Sequence, residues 1–232
     1  MGLPELFCWT RFGVEAGEPV ESIFARKEQE RIQNKGIFLW GVGNAVGPSI
    51  SEFVRLAQSP EVLFSPIKSP PRERDVAPET VVAWTAGVDL NGRPFELPKH
   101  SLVTSRYEPN GVRHFHYALV CCASKRLTDS KPDSEKIAIG ALRNLLSGRP
   151  VGASQVTAIV RAGRVANNNS AHYDVVIRVT LAFPYFIRLH GPVALPNHAA
   201  SGPRDIKNLS NTLSWVKRQV PIVPQQLRLS DR

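Results

Sequence analysis

Apolar positions in the N-terminal part of the chain occur in short runs separated by one charged stretch and by glycines. Runs rich in aromatic and β-branched residues favour strands, whereas a long charged segment free of Gly and Pro favours a helix. Gly36 should end that helix, and Ser49-x-x-Glu52 resembles a capping box that opens a second one. The predicted order is strand 5–12, helix 20–33, strand 37–42, a glycine turn, a helix from Ser49 to about Ala57, and strand 61–67.

The remaining sequence is richer in strand patterns. Asn91-Gly92 lies between two strand-like segments and predicts a hairpin, because this pair supplies the positive φ angles of a tight turn. Asp133 predicts the N-cap of a helix that Gly148-Arg-Pro150 stops, and near-helical offsets of apolar residues predict a last helix over 206–220. The apolar stripe of the former helix consists of Ile137, Ala138, Ala141, Leu142, Leu145 and Leu146. Strands are predicted over 80–88, 93–97, 102–107, 114–123, 155–161 and 173–183, with 186–189 continuing the last.

These elements predict an α+β chain with a mixed, strand-rich sheet or an open β-barrel and peripheral helices, because βαβ alternation stops after residue 70. No repeat or clear linker divides the sequence, so residues 1–232 are predicted to form a single domain with a soft subdivision near 125–133. No apolar run approaches the roughly 20 residues that cross a bilayer, and the N-terminus lacks a signal-peptide pattern. A soluble, cytoplasmic chain without a membrane partner is therefore expected.

The net charge of the chain gives the first indication of its function. The formal net charge is +9, from 29 Lys and Arg against 20 Asp and Glu. Such a surface attracts phosphates, so nucleic acid is the leading partner class, and a cationic surface that only aids solubility is the alternative. The 3 cysteines are too few for a disulfide framework, and they form no Cys-x-x-Cys pair. With scattered histidines, no metal site is predicted.

The glycines of Gly41-x-Gly43-x-x-x-Gly47 follow a predicted strand and precede a helix, as they do in dinucleotide-binding turns. However, the bulky Trp40 precedes the first glycine. The next strand ends in Ser65-Pro66-Ile67-Lys68 rather than in an acidic ribose ligand. No cofactor is therefore predicted, and the glycines are interpreted as a turn that the chain geometry requires, which is compatible with a phosphate at the helix start.

The same segment, Gly36-Ile-Phe-Leu-Trp-Gly-Val-Gly-Asn followed by a helix and the strand Val62-Leu-Phe-Ser, resembles the EVE domain of the PUA-like superfamily. The resemblance covers roughly Glu5 to Ile67. The sequence departs from the family pattern by one missing residue between Trp40 and Gly41, and Glu61 stands where the family has Gly-Asp. The resemblance implies a small PUA-like barrel with an aromatic pocket for a flipped or modified base. It also implies a partner nuclease or modification enzyme, because some relatives are associated with modification or restriction systems.

An extruded base needs aromatic faces and edge hydrogen bonds in exchange for the stacking it loses. Asn44 offers both a donor and an acceptor for a base edge, and Ser105 offers a hydroxyl. Core packing of the tryptophans and a turn role for Asn44 are the structural alternatives. Phe38 and Trp40 should project to one face of their strand, which is either core or pocket. The candidate aromatic faces are Trp9, Phe38, Trp40 and Trp84.

Basic residues in or near predicted loops could form a phosphate-binding rim around this pocket. An ordinary solvated surface is the alternative. The candidates are Arg11, Lys68, Arg72, Arg74, Arg93 and Arg106, with Lys99 beside them. A second basic group in the C-terminal half, which alternation on an outward strand face also explains, consists of Arg161, Arg164, Arg178 and Arg188.

The preferred hypothesis is a non-enzymatic module that binds nucleic acid, DNA rather than RNA, through this pocket and rim. An enzyme is the first alternative, because His114-Phe-His116 places two imidazoles on one strand face, suited to acid–base or metal-assisted phosphodiester chemistry. His172 or His190 would complete such a site, although no nearby acidic residue supports it. A structural protein with purely electrostatic affinity for nucleic acid is the second alternative.

Overall fold

The computed structural model describes residues 3–12, 20–66, 81–98, 103–106, 117–127, 136–152, 155–163 and 172–194. The strands in these ranges are β1 Leu6–Phe12, β2 Phe38–Val42, β3 Glu61–Pro66, β4 Val81–Val88, β5 Pro94–Phe95, β6 Thr104–Arg106, β7 Tyr117–Arg126, β8 Lys136–Ala138, β9 Leu142–Asn144, β10 Thr157–Ala162, β11 His172–Asp174 and β12 Ile177–Ala194. The helices are α1 Val20–Gln33 and α2 Gly47–Leu56, and a 3-10 turn over Asn44–Val46 leads into α2.

Ten strands form one sheet, in which the order β2-β7-β12-β3-β1-β10-β9 is continuous. β1 and β3 run parallel, and the other neighbouring pairs run antiparallel. The second half of β12 also pairs with β4, which carries β5 and β6, while β8 and β11 form a separate pair. The predicted mixed, strand-rich α+β architecture is confirmed, and the described strands do not close into a barrel.

Both faces of the ten-stranded sheet are covered, because alternate strand residues enter different hydrophobic cores. The first core lies on the face that α1 and α2 cover and includes Cys8, Phe12, Ile23, Phe38, Ile50, Phe53, Phe64, Leu119, Cys121 and Phe186. The second core includes Phe7, Trp9, Leu63, Ile137, Leu142, Ala158 and Val160. The third core includes Leu39, Val103, Ala118, Val120, Ile187 and Leu189. The second and third cores therefore lie on the face opposite the helices.

The sheet curls around the first core. The ring of Trp40 in β2 lies 4.7 Å from the ring of Phe64 in β3, and 6.3 Å from the ring of Phe12 in β1. β7 and β12 separate β2 from β3 in the sheet, so a flat sheet with strands ~4.8 Å apart would hold β2 and β3 roughly 14 Å apart. Direct ring contact across this gap requires strong curvature.

The N-terminal elements agree with the sequence prediction. α1 spans Val20–Gln33, and the N–H of Gly36 donates a hydrogen bond to the carbonyl oxygen of Arg31 where the helix ends. Lys35 and Gly36 both have left-handed backbone angles, with φ of 55° and 94°. Gly36 therefore ends α1 as predicted, because glycine adopts this conformation without a Cβ penalty.

No described helix is long and apolar enough to cross a bilayer.

The helix predicted from Asp133 to Gly148 is wrong. Residues 136–144 form β8, a 3-10 turn and β9, and a tight turn with Gly148 at φ 64° follows. Ile137 and Leu142 both enter the second core, because β8 pairs with β11 and β9 pairs with β10. Long-range pairing therefore overrides a local helical pattern that Gly140 and two isoleucines already weaken. The helix predicted over 206–220 and the start at Asp133 lie outside the described residues.

The structure also differs from the sequence prediction at the start of α2 and in the turn between β4 and β5. α2 begins at Gly47, with Pro48 in its first turn, so Ser49 lies inside the helix and the predicted capping box does not form. In the β4–β5 hairpin, Gly92 has φ of 78° but Asn91 does not have a positive φ. Asp89 instead closes the turn, since its Oδ1 accepts hydrogen bonds of 2.8 Å from the N–H groups of Asn91 and Arg93. The carboxylate replaces the predicted Asn-Gly geometry.

Candidate nucleic-acid interface

The four predicted aromatic faces do not surround one pocket, because they belong to three different cores. Trp9 is in the second core, Phe38 and Trp40 are in the first, and Trp84 packs against the third. The first core lies on the opposite side of the sheet from the other two. The single aromatic pocket expected from the sequence is therefore not assembled.

Trp9 is a core residue. Its side chain is 0% exposed, and its Nε1–H donates a 3.0 Å hydrogen bond to the hydroxyl of Ser65. The ring of Tyr173 covers it edge-on at 5.6 Å. With its polar atom satisfied and its ring enclosed, Trp9 cannot stack on a base in this conformation.

Phe38 and Trp40 project to the same face of β2, as the alternation predicted, and that face is core. Phe38 is only 4% exposed. Trp40 is half-buried, with its ring against the edges of Phe12 and Phe64. Phe38 is therefore no longer a candidate base-binding residue. Trp40 lies at the edge of the first core and is only partly exposed.

The glycines after β2 serve packing. A Cβ added at Gly41 would lie 2.8 Å from Cγ1 of Val103, and one added at Gly47 would lie 3.0 Å from the Tyr117 ring. Gly43 has open space around it. β2 and β3 are not neighbours in the sheet, so the parallel βαβ unit of a dinucleotide site is absent from these elements. The geometry thus contradicts a dinucleotide interpretation of this turn.

Asn44 starts the 3-10 turn after β2 and is half-buried. Its Oδ1 is buried and accepts no hydrogen bond from the described residues. A buried carbonyl oxygen without a donor loses hydration without compensation, so this acceptor is available to a donor group that reaches it. Asn44 follows Trp40 in the chain, but Trp84 lies on the other face of the sheet.

Three of the predicted site residues do come together on neighbouring strands. β6 pairs antiparallel with the start of β4, in the register Val81 with Arg106 and Val82 with Ser105. Trp84 follows in β4, and its N–H donates a 3.1 Å hydrogen bond to the carbonyl oxygen of Val103. Trp84 is half-buried against the third core. The backbone positions of Trp84, Ser105 and Arg106 therefore form one continuous part of the sheet.

β12 lies on the other side of β4 and pairs His190 with Ala86. The Nε2 atom of His190 is buried and has no hydrogen-bond partner among the described residues. Burial, and then the positive charge of Arg188, lower the pKa of His190 below its ordinary value. His190 therefore favours the neutral imidazole on the strand beside Trp84.

The predicted phosphate-binding cations are spread over the molecule. The Arg11 guanidinium lies 4.8 Å above the ring of Tyr173, the same ring that contacts Trp9, so Trp9 and Arg11 lie on the same face of β1. Arg93 is exposed in the β4–β5 turn, whereas Arg106 pairs with the far end of β4, about 23 Å along the strand. Arg11, Arg93 and Arg106 thus do not form one rim.

Several predicted residues lie outside the described part of the chain. They are Lys68, Arg72, Arg74, Lys99, Arg164 and the alternative catalytic pair His114 and His116. Among the described residues, no three His, Cys, Asp or Glu side chains come close enough to hold a metal ion. Ser105 and Arg106 are described only by their backbone positions.

In the second basic group, Arg178 is neutralised by a largely buried ion pair, whereas Arg161 has a weaker contact with an exposed carboxylate. Arg178 donates hydrogen bonds from Nε and Nη2 to both carboxylate oxygens of Glu61, at 2.7–3.0 Å, and both side chains are largely buried. Arg161 makes one 3.2 Å contact with the exposed Glu5. Arg143, which lies within the helix that the sequence predicted, instead pairs directly with Arg161, and Arg149 lies on the far side of β9 from Arg161. Alternation on β9 and β10 is the signal that could have found Arg143.

The described acidic side chains largely neutralise local arginines and lysines. Ion pairs join Glu28 to Arg31, Glu52 to Arg55, and Glu30 to both Arg26 and Lys27. These pairs leave an excess of positive charge elsewhere on the surface, as the net charge of +9 requires.

No family model, curated protein or solved structure was found to match this chain.

Proposed function

We propose that the protein binds nucleic acid, with DNA favoured over RNA, and that Trp84 stacks on an extruded or modified base. The observation that supports this site is the placement of half-buried Trp84 beside the paired backbones of Ser105 and Arg106. Trp84 packs against the third core and remains partly exposed, and a partly exposed aromatic ring suits base stacking. Of the predicted tryptophans, Trp9 is enclosed and Trp40 is held between Phe12 and Phe64.

The strong curl of the sheet around the first core is compatible with the open, PUA-like barrel of the EVE resemblance. On this proposal the barrel is a scaffold, and the base-binding strand is β4 on its outer face. The net charge of +9 supplies the attraction for the phosphate backbone. The protein acts as a binding module, and a separate nuclease or modification enzyme would perform any reaction.

The test compares DNA duplexes that differ only in one modified base, with affinity measured by fluorescence anisotropy over a salt series. Wild type should keep a preference for the modified duplex at every salt concentration, although both affinities fall with salt. Trp84→Ala should weaken binding of the preferred duplex by about 5- to 160-fold, because stacking on an aromatic side chain is worth about 1–3 kcal/mol. Trp84→Phe should retain most of the affinity.

Trp40→Ala is the control for the other face of the sheet and should leave the base preference unchanged. Equal affinity of wild type for both duplexes would contradict base recognition. Loss of preference in Trp40→Ala, but not in Trp84→Ala, would move the site to the first-core face. Replacement of both His114 and His116 should leave binding intact, and DNA cleavage that is lost in this variant would favour the enzyme alternative.

A further inference from the structure

Two arginines face each other at the edge of the sheet. Arg143 in β9 is the direct antiparallel partner of Arg161 in β10, so their Cβ atoms lie on the same face about 5 Å apart. Like charges placed directly opposite each other repel and destabilise the strand pair. A bound anion between them would reverse that effect.

The Arg143 guanidinium is held in position by carbonyl groups. Its Nη1 donates hydrogen bonds to the carbonyl oxygens of Gly140 at 2.6 Å and Leu142 at 3.2 Å. No carboxylate of the described residues pairs with Arg143. Its charge is therefore oriented but not neutralised, and its remaining N–H groups are available to a ligand with acceptor oxygens.

Arg149 lies on the opposite face of this edge from Arg143 and Arg161. It pairs with Asn144, which is opposite the second-core residue Val160, and successive strand residues alternate between the two faces. The tight turn from Asn144 to Arg149 returns the chain so that Pro150 forms a β-bridge with Arg143. The N–H and the side-chain amide of Asn144 both donate to the carbonyl oxygen of Arg149, which fixes the turn. The Arg149 side chain is exposed and, within the described residues, forms no ion pair.

Acidic groups near this surface are few and weakly placed. Glu5 is 81% exposed and touches Arg161 through one oxygen at 3.2 Å. Two hydrogen bonds from Arg55 lower the pKa of Glu52, and the charge of Arg161 adds a smaller effect in the same direction. An exposed, single contact of this kind contributes little stability and is readily displaced by a phosphate.

We propose that Arg143 and Arg161 form a phosphodiester-binding surface that holds the nucleic-acid backbone at the β9–β10 edge. This inference rests on the proposed function and adds a contact region that is separate from Trp84. Guanidinium groups bind phosphate oxygens with paired N–H donors, so each of the two arginines supplies one contact to the backbone. These contacts position the backbone without reading the base sequence.

The test measures the salt dependence of affinity for a fluorescein-labelled, unmodified DNA duplex. In Arg143→Gln/Arg161→Gln the slope of log affinity against log salt should become shallower by about 2, since each lost phosphate contact removes about 1. Arg149→Gln, which removes an exposed charge from the opposite face of the same edge, should leave the slope close to that of wild type. Thermal unfolding of both variants should confirm that they are folded.

Arg31→Gln/Arg55→Gln is the charge-matched control, because both arginines lie on helices and are already paired with Glu28 and Glu52. It should leave the slope close to that of wild type. Equal slopes for the two double variants would overturn the proposal, because net charge alone would then explain binding. A wild-type slope in the Arg143 and Arg161 variant, with the Trp84 effect intact, would overturn this surface while leaving the proposed function standing. Absence of DNA binding by wild type would overturn both.

Discussion

The ammonium group of Lys27 in α1 donates a 2.7 Å hydrogen bond to the carbonyl oxygen of Leu39 in β2. Among the described strands, β2 pairs only with β7, so its outer edge would otherwise present unpaired backbone groups. The same ammonium group donates to both oxygens of Glu30, at 3.0 and 2.8 Å. α1 therefore protects the sheet edge through a buried polar link rather than through a further strand.

Glu30 should be critical for stability, because it is 1% exposed and balances the charges of Lys27 and Arg26. Burial lowers the pKa of Lys27, and the nearby Glu30 carboxylate opposes that effect. We expect Glu30→Ala to lower the free energy of unfolding by about 3–5 kcal/mol, since it removes the carboxylate that balances the charges of two buried cations. Urea denaturation measures this loss.

Glu28→Ala is the matched control on the same helix, because Glu28 forms a partly exposed ion pair with Arg31. Its urea midpoint should stay close to that of wild type. A loss in Glu28→Ala as large as that in Glu30→Ala would show that the buried position of the Glu30 link does not set its contribution to stability.

Gly41 should tolerate no side chain, although its φ angle is not left-handed. An alanine Cβ would lie 2.8 Å from Cγ1 of Val103, so Gly41→Ala should destabilise the protein by about 1–3 kcal/mol through overpacking. Gly43→Ala places its Cβ in open space and should be nearly neutral. Thermal unfolding of both variants gives the comparison, and Gly41→Ala combined with Val103→Ala should recover part of the loss.

The thiols should differ sharply in reactivity. Burial raises the pKa of Cys8 to about 12 and also raises the pKa of Cys121, whereas Cys122 is half-buried. The thiolate is the reactive form, so at pH 8 iodoacetamide should modify Cys122 of the native protein much faster than Cys8 or Cys121. Mass spectrometry should find all 3 cysteines modified only after denaturation. Rapid native labelling in Cys122→Ser would disprove this ranking.

Local patterns identified the N-terminal elements because each carries its own signals. The charged α1 has no Gly or Pro before Gly36, and β3 is a short apolar run, so both were recognisable without knowledge of the rest of the chain. The segment from Lys136 to Asn144 lacked such signals. Its Ile137 and Leu142 fit one helical face as well as two strands, and only pairing with β10 and β11 selects the strands.

The candidate site was harder to predict because both faces of the sheet are buried. Alternation correctly placed Phe38 and Trp40 on one face, but on a sheet with cores on both sides alternation does not distinguish core from pocket. The division of Trp9, Trp40 and Trp84 among three cores depends on how the strands curl and pair. That information is not contained in any single segment.

His190 should make stability depend on pH near neutrality. Its pKa is lowered in the folded protein, first by burial and then by the charge of Arg188, while the unfolded chain has the ordinary value near 6.5. Between these two pKa values the unfolded state binds more protons, so stability rises with pH there. The contribution is fully present above pH 6.5 and is lost as pH falls from 6.5 through the folded pKa.

Urea midpoints between pH 5 and 7.5 should decline on acidification in wild type and decline less in His190→Gln. His172→Gln, which changes an exposed histidine, should retain the wild-type profile. An unchanged profile in His190→Gln would show that this histidine does not cause the pH dependence.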